Sequence, residues 1–186
     1  MANKNLRPLL RFGFIFASLA LLLGCGGGGG GGGTSFPQSA DVSISADPST
    51  IDLDDYMQIT INISNVNPNG IGLRLMIPDQ LRYVKGTSSL TVDGQSTDIE
   101  PKVDGLDGSS LYLVYYLKGA DFGQDATGEM TLQLKGDGAI DSAQIEVSAV
   151  IDDPTIPEAQ QFDLKDPEFV PDDSAGVTVI GPSSAS

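Results

Sequence analysis

From residue 41 onward, apolar and polar side chains alternate along almost every apolar stretch of the chain. The stretch YMQITINIS places Met57, Ile59, Ile61 and Ile63 on one face and polar residues between them. The same alternation occurs in DVSISA (41–46), GIGLRLMIP (70–78), GEMTLQLKG (128–136), AQIEVSAVI (143–151) and GVTVIG (176–181). Because side chains alternate across a β-strand, this period predicts antiparallel sheets with one packed face and one face in water.

The segments between these stretches have the composition of turns. Asn69-Gly70 and Asp93-Gly94 are pairs typical of hairpin turns, and LYLVYYL (111–117), apolar on both faces, is typical of a central strand. We find no helical period longer than about two turns. An all-β sandwich of about seven to nine strands over residues 41–181 is therefore predicted, with 182–186 as a disordered tail.

The first 24 residues have the features of a secretory signal peptide. Lys4, Arg7 and Arg11 precede ten apolar or small residues, FIFASLALLL (14–23), and no acidic residue is present. A run of ten cannot cross a hydrocarbon core, which needs about 20 helical residues. We therefore assign 1–24 to a cleaved signal peptide rather than to a retained anchor helix.

The only cysteine follows directly in LLGC (22–25). This tetrad resembles the lipobox of bacterial lipoproteins, and the resemblance implies cleavage before Cys25, a diacylglycerol on its sulfur and acylation of the new amino group. Several acyl chains would give stable membrane anchoring. Position 26 is Gly rather than Asp, which in the usual Gram-negative sorting rule implies the outer membrane or cell surface rather than the inner membrane.

Eight consecutive glycines follow Cys25, and together with TSFPQSA they predict a flexible tether over 25–40. The mature chain keeps all 25 acidic residues and seven basic ones, so its net charge is −18. Such a surface repels nucleic acid and suits cationic partners.

The chain has no histidine and no tryptophan. Ser-His-Asp and Cys-His catalytic arrangements and His-containing zinc or copper sites are therefore excluded. Paired carboxylates could in principle hydrolyse a glycoside, but no set of cleft-forming aromatic residues accompanies any pair. We expect neither an enzyme nor a cofactor.

The order of elements resembles the conserved-repeat immunoglobulin-like module of large bacterial surface proteins. The resemblance rests on ADVSISADPSTIDLDDYMQITINISN (40–65), on LRLMIPDQLRYVKGTSSLTVDG (73–94) and on GEMTLQLKGDGAIDSAQIEVSAVIDDP (128–154). It implies an immunoglobulin-like sandwich that binds or spaces rather than catalyses. NVNPNGIGLRLMIPDQLRYV (65–84) also resembles a cohesin-type sandwich, which we rank second.

The most unusual segment of the predicted sandwich is DDPTIPEAQQFDLKDPEFVPDDS (152–174), with eight carboxylates. One hypothesis is calcium binding, because Ca²⁺ takes several oxygen ligands from loops. The preferred interpretation is a solvated acidic loop held on the sandwich by Phe162, Leu164 and Phe169, since no D-x-D-x-D-G spacing occurs. The candidate calcium ligands would be Asp152, Asp153, Asp163, Asp166, Asp172 and Asp173.

Three further features have simple structural interpretations. VDGLDGSS (103–110) and GDGAID (136–141) are expected to be plain turns rather than ion sites. Tyr112, Tyr115 and Tyr116 are expected to serve as core and strand cover rather than as a ligand patch.

The sequence thus predicts a lipid-anchored module that acts in adhesion, spacing or assembly through a protein partner. The alternative is a cohesin-like or calcium-dependent receptor.

Overall fold

A computed structural model describes residues 39–152 and 170–182, all within one structural unit, Ser35–Ser186. The described part is all-β, with one short 3-10 helix at Gly119–Phe122. No helix among these residues is long and apolar enough to span a membrane. The strands are β1 Asp41–Asp47, β2 Thr50–Asp52, β3 Tyr56–Ser64, β4 Ile71–Pro78, β5 Leu81–Tyr83, β6 Ser89–Val92, β7 Gln95–Asp98, β8 Val103–Asp107, β9 Ser110–Leu117, β10 Gly128–Gly136, β11 Ile140–Ile151 and β12 Asp173–Ile180.

The strands form two six-stranded sheets. The first has the order β1-β3-β10-β6-β7, with β5 also paired to β10, and the second has the order β2-β12-β11-β4-β9-β8. Every pairing is antiparallel except that of β2 with β12, which is parallel. The fold is an immunoglobulin-like β-sandwich, as the sequence predicts, with this one parallel pairing as a departure.

The core lies between the two sheets and consists of the alternating residues found in the sequence. In the first sheet, Ile61 lies opposite Ile44 on one side and Met130 on the other, and all three are buried. In the second sheet, Leu73 lies opposite Ala149 and is fully buried. Burying a side chain of this size stabilises the fold by about 1.5–3 kcal/mol, so each alternating apolar residue contributes substantially to stability.

The described residues form twelve strands rather than the predicted seven to nine, because five short strands escape the pattern. β2, β5, β6, β7 and β8 have three to five residues each, and all five lie at sheet edges or beside them. All residues of β7 are exposed, so no apolar alternation marks it. Edge strands bury few side chains and leave a weak sequence signal.

Of the predicted turns, one is confirmed and two differ from expectation. Asp93-Gly94 is the confirmed one, a hairpin turn with φ of 50° and 74° that joins β6 to β7. The prediction of a hairpin at Asn69-Gly70 is wrong, because this turn carries the chain from β3 in the first sheet to β4 in the second. The prediction of a plain turn over 103–110 is also wrong, because 103–107 form β8 and the turn itself contains only Gly108 and Ser109.

The outward face of the second sheet is less exposed than the alternation predicts. Arg74 in β4 is only 6% exposed, and Val114, its register partner in β9, is fully buried. The guanidinium lies across the sheet, with Nη2 3.4 Å from the Ser148 hydroxyl and the central carbon 5.9 Å from the centre of the Tyr112 ring. The prediction that this face lies in water is therefore wrong around Arg74, whose long side chain extends over its neighbours.

Candidate functional site

Among the described residues, β5 and β8 lie beside a groove at one side of the sandwich. A short segment, 99–102, crosses here from β7 in the first sheet to β8 in the second. The Ile99 N–H donates to the Ser88 carbonyl at one end, and the Lys102 N–H donates to the Val114 carbonyl at the other. Residues near this crossing line two surface grooves, which are the candidate site.

The first groove, called here the β5–β8 groove, has a volume of about 620 Å³. Its apolar lining comes from both sheets, and Leu106 at its edge is 69% exposed, the most exposed of the large apolar side chains in the described residues. An exposed apolar side chain at the edge of a concave surface can contact a partner that enters the groove. The lining residues include Leu81, Tyr83, Lys85, Asp104, Leu106 and Leu111.

The strand that carries Leu106 is a sheet edge. Among the described strands, β8 pairs with β9 only, and its Gly105 has open space where a Cβ would lie. A two-residue turn closes the hairpin, with Asp107 opposite Ser110. In such a hairpin, residue pairs that exchange backbone hydrogen bonds alternate with pairs that do not, and the pair beside the turn is a hydrogen-bonded one. The pairs that contain Leu106 and Asp104 are therefore not hydrogen-bonded to β9. The backbone groups of Asp104 and Leu106 therefore point away from β9, toward the open edge.

Three ion pairs surround the β5–β8 groove. Arg82 Nε lies 2.8 Å from an Asp137 carboxylate oxygen, and Lys85 Nζ lies 3.0 Å from Asp104. The third pair joins Lys135 Nζ to Asp54 at 2.6 Å. Each lining cation is therefore matched by a carboxylate, so the groove itself offers no excess of positive charge.

The Lys135–Asp54 pair shifts the pKa of both of its members. The hydrogen bond donated by Lys135 lowers the pKa of the Asp54 carboxyl, and the same bond raises the pKa of the Lys135 ammonium. The Asp54 side chain is 76% exposed, so water and salt screen this interaction.

The second groove, of about 660 Å³, lies above a buried hydrogen-bond network. The Ser88 hydroxyl is 2.8 Å from both the Tyr83 and the Tyr115 hydroxyls, and Tyr83 also donates to a Glu100 oxygen at 3.3 Å. Burial raises the pKa of Tyr115 well above its ordinary value, so this phenol remains neutral. The network joins β5 and β9 across the sheets and fixes the crossing segment through Glu100.

The three tyrosines of β9 do not lie on one face, because Tyr115 lies on the core face whereas Tyr112 and Tyr116 lie on the outward face. Tyr115 points into the core, and Tyr112 covers the outward face with its hydroxyl 3.3 Å from the Met76 sulfur. The prediction of core and strand cover is confirmed for these two residues. Tyr116 is half-buried and lines the second groove.

Most of the predicted site residues lie outside the described residues. These are Cys25 and positions 26–38 of its tether, the candidate ligands Asp153, Asp163 and Asp166, and the loop anchors Phe162, Leu164 and Phe169. The prediction of a flexible tether up to residue 40 is wrong at its last two residues, because the Ser39 hydroxyl donates to the Ala149 carbonyl at 2.8 Å and Ala40 is buried in the core.

The described members of the acidic set bind backbone groups of the sandwich. Asp172 accepts a hydrogen bond from the Ala149 N–H at 2.7 Å, and Asp173 accepts one from the Ile44 N–H at 2.9 Å. The Asp152 N–H donates to the Gly70 carbonyl. Within residues 39–152 and 170–182, no group of three or more Asp, Glu, His or Cys side chains is placed to hold a metal ion.

Sequence reasoning missed the β5–β8 groove. Its strands are short, and the Asp and Gly residues of VDGLD carry a stronger turn signal than strand signal. The one available clue was Leu106 itself, a lone leucine between polar residues.

No protein-family model matches the chain, and no curated protein matches it. Solved structures do match. The N-terminal domain of the adhesin Sgo0707 of Streptococcus gordonii superimposes with a TM-score of 0.51 and 9% identity, over 75% of this chain and 32% of that one. This chain therefore spans about a third of the length of the adhesin structure.

Three further structures show weaker similarity. The major pilin subunit BcpA of Bacillus cereus gives a TM-score of 0.48 and 6% identity, over 76% of this chain and 40% of that one. AvmM, which catalyzes macrocyclization in alchivemycin A biosynthesis, gives a TM-score of 0.45 and 12% identity, over 80% of this chain and 93% of that one. A non-cellulosomal cohesin from the archaeon Archaeoglobus fulgidus gives a TM-score of 0.40 and 10% identity, over 76% of this chain and 92% of that one. At 9% identity, the similarity to the Streptococcus gordonii adhesin shows the fold alone.

Proposed function

We propose that the protein is a lipid-anchored, non-enzymatic module of the bacterial cell envelope that acts in adhesion, spacing or assembly through a protein partner. Its lipid would be attached at Cys25, and its location would be the outer membrane or cell surface. The part of the predicted tether that precedes the sandwich, 25–38, would hold it away from the lipid, and nucleic acid would not be a partner.

The observation that carries this proposal is the open edge of β8. A sheet edge with a 69% exposed leucine beside a groove is a surface that another protein can cover. The fold shared with the Streptococcus gordonii adhesin is consistent with this function but does not determine it, because one fold serves many functions.

Support for the anchor comes from the sequence. LLGC at 22–25 ends an apolar run of signal-peptide length, and the glycine run then separates Cys25 from the first strand. The mature net charge of −18 keeps the domain soluble and repels anionic lipid headgroups, so the lipid chains rather than the surface would provide membrane affinity.

The case against catalysis rests on side-chain chemistry. The chain contains no histidine, and the described groups with shifted pKa values are an exposed ion pair and a buried tyrosine. Neither combines a nucleophile with an adjacent base. AvmM shows that an enzyme can have a similar fold, so this part of the proposal needs its own test.

A cohesin-like or calcium-dependent receptor is the alternative. Calcium that binds only the folded state must raise the melting temperature. Millimolar calcium is expected to change the melting temperature of the full chain no more than magnesium does, because Asp172 and Asp173 already accept backbone hydrogen bonds. A rise specific to calcium would favour the alternative.

The function is tested in bacterial cells that produce the full chain or its Cys25→Ala variant. The wild-type chain is expected in the membrane fraction, accessible to protease added outside the cells and cross-linked to a protein partner, and the variant is expected to lose the membrane association. A wild-type chain that is soluble inside the cell would overturn the proposal. So would turnover of a glycan or peptide substrate that one Asp or Glu substitution abolishes.

A further inference from the structure

β8 combines three properties that the other sheet edges described by the structure do not share. Its outward backbone groups, at Asp104 and Leu106, meet no further strand of the described sheets. Its leucine is exposed, and a groove lies alongside it. In the first sheet, by contrast, the Ile44 N–H of the edge strand β1 is already bound by Asp173. The remaining edge strands, β2, β5 and β7, have no exposed large apolar side chain of their own.

We propose that β8 is the docking edge for an extended, basic segment of a partner protein, which adds as a further strand to the second sheet and packs an apolar side chain against Leu106. The proposal rests on the proposed function and specifies the surface and the chemistry of the partner. Strand addition of this type derives affinity from backbone hydrogen bonds and specificity from side-chain pockets.

The size of the edge favours a single extended segment over a second folded copy of the chain. Five residues of β8 span about 17 Å, at about 3.4 Å per residue. A stable interface between two folded proteins buries about 1,200–2,000 Å², more than one short strand edge supplies. One extended chain, in contrast, fits along the edge and can place its side chains in the groove of about 620 Å³.

Charge favours a basic segment. The lining cations Arg82, Lys85 and Lys135 are each paired with a carboxylate, and the chain as a whole has a net charge of −15. An acidic segment would approach against this field, whereas a basic one would be attracted to it. Asp104, paired with Lys85 and 26% exposed, lies in β8 itself and can also receive a cation from the partner.

The test uses the full lipidated chain in detergent and two synthetic peptides as probes, one alternating valine with lysine and the other valine with glutamate. Fluorescence polarisation measures the affinity, and hydrogen exchange with mass spectrometry locates the contact. The basic peptide is expected to bind and to slow amide exchange in 103–107, whereas the acidic peptide is not.

Leu106→Ser is expected to weaken binding of the basic peptide by at least about tenfold, because it removes the apolar contact. Ile180→Ser, at a second exposed apolar residue on another part of the surface, is the matched control and should leave binding unchanged. Both side chains are at least half exposed, so both variants should fold, which the melting temperature checks.

Three results would overturn the inference. The first is that the basic peptide does not bind, or binds with no protection of 103–107. The second is that the Leu106→Ser and Ile180→Ser variants bind the basic peptide with the same affinity. The third is protection of 103–107 without peptide that depends on protein concentration, which would identify a second copy as the occupant. None of these results alters membrane association through Cys25, so the two proposals fail separately.

Discussion

The carboxylate of Asp173 in β12 accepts a hydrogen bond of 2.9 Å from the backbone N–H of Ile44 in β1, and it thereby joins one sheet of the sandwich to the other. Asp172, one residue earlier, binds the Ala149 N–H of β11 at 2.7 Å. Two carboxylates at the end of an acidic segment therefore complete the backbone hydrogen bonding of the sandwich. Charge-assisted bonds of this kind are the stronger class of protein hydrogen bonds.

Asp173→Ala is expected to lower the free energy of unfolding by about 1–3 kcal/mol, because it leaves the N–H of the buried Ile44 without its acceptor. Asp173→Asn keeps an acceptor oxygen and should retain most of the stability. Urea unfolding measures both variants. Asp98→Ala, on the exposed strand β7, is the control for loss of a negative charge. Equal effects of Asp173→Ala and Asp98→Ala would show that the bond between the sheets does not matter.

Tyr115→Phe is expected to cost about 1–2 kcal/mol at neutral pH, because it removes a buried hydroxyl that is bonded to Ser88. Burial also raises the pKa of Tyr115 above its ordinary value of 10.0. The unfolded chain then ionises before the folded one, so the contribution of Tyr115 is complete below about pH 10 and is lost as the pH rises further. The stability of the wild-type chain should therefore fall more steeply above pH 10 than that of Tyr115→Phe.

Chemical unfolding across pH 8 to 11 measures this difference between the two proteins. Parallel curves for wild type and Tyr115→Phe would contradict the neutral, buried state of Tyr115.

The Asp54 carboxyl is expected to titrate below its ordinary pKa of 3.8, because Lys135 donates a hydrogen bond to it. Lys135→Gln should return the midpoint toward that value, as measured by the NMR shift of the carboxyl carbon. Because the pKa of Asp54 is lower in the folded chain, its ionised carboxyl stabilises the fold fully above the pKa that it has in the unfolded chain. This contribution is lost as the pH falls through the pKa that it has in the folded chain. Since the Asp54 side chain is 76% exposed, the change in stability should be small. An Asp54 midpoint that is the same in both proteins would contradict the ion pair.

Gly70→Ala is expected to destabilise the fold by about 2–3 kcal/mol or more. The backbone φ of Gly70 is +103°, and an added Cβ would lie 2.5 Å from the Leu117 carbonyl oxygen. Gly105→Ala is the matched control, because nothing lies within 4 Å of its Cβ position and its φ is not positive. Thermal or urea unfolding compares the two. A Gly70→Ala protein as stable as Gly105→Ala would show that the turn relaxes without cost.

The long strands could be predicted because burial imposes an alternation that the sequence displays. Met57, Ile59, Ile61 and Ile63 all lie in the core as expected. The short edge strands β2, β5, β7 and β8 could not be predicted, because pairing on one side only places little demand on their side chains. The parallel contact of β2 with β12 depends on how the chain turns between the sheets, which no local pattern specifies.

The β5–β8 groove could not be predicted from the sequence. The β5–β8 groove arises where residues far apart in sequence, such as Leu81 and Leu106, approach across the two sheets. The Asn69-Gly70 pair shows a related ambiguity, since a sharp turn can close a hairpin or pass between sheets. Arg74 shows that a charged residue on an outward face can be buried when its own stem and its neighbours cover it.

The central claim is that the sandwich acts at a membrane to which Cys25 attaches it, and intact-mass spectrometry of the membrane-fraction protein tests this most directly. Wild type and Cys25→Ala are compared after production in a bacterial host. The predicted result is a wild-type chain that begins at Cys25 and carries the mass of acyl chains, with both features lost in the variant. A wild-type chain that retains residues 1–24, or one that is soluble and free of lipid, would contradict the claim.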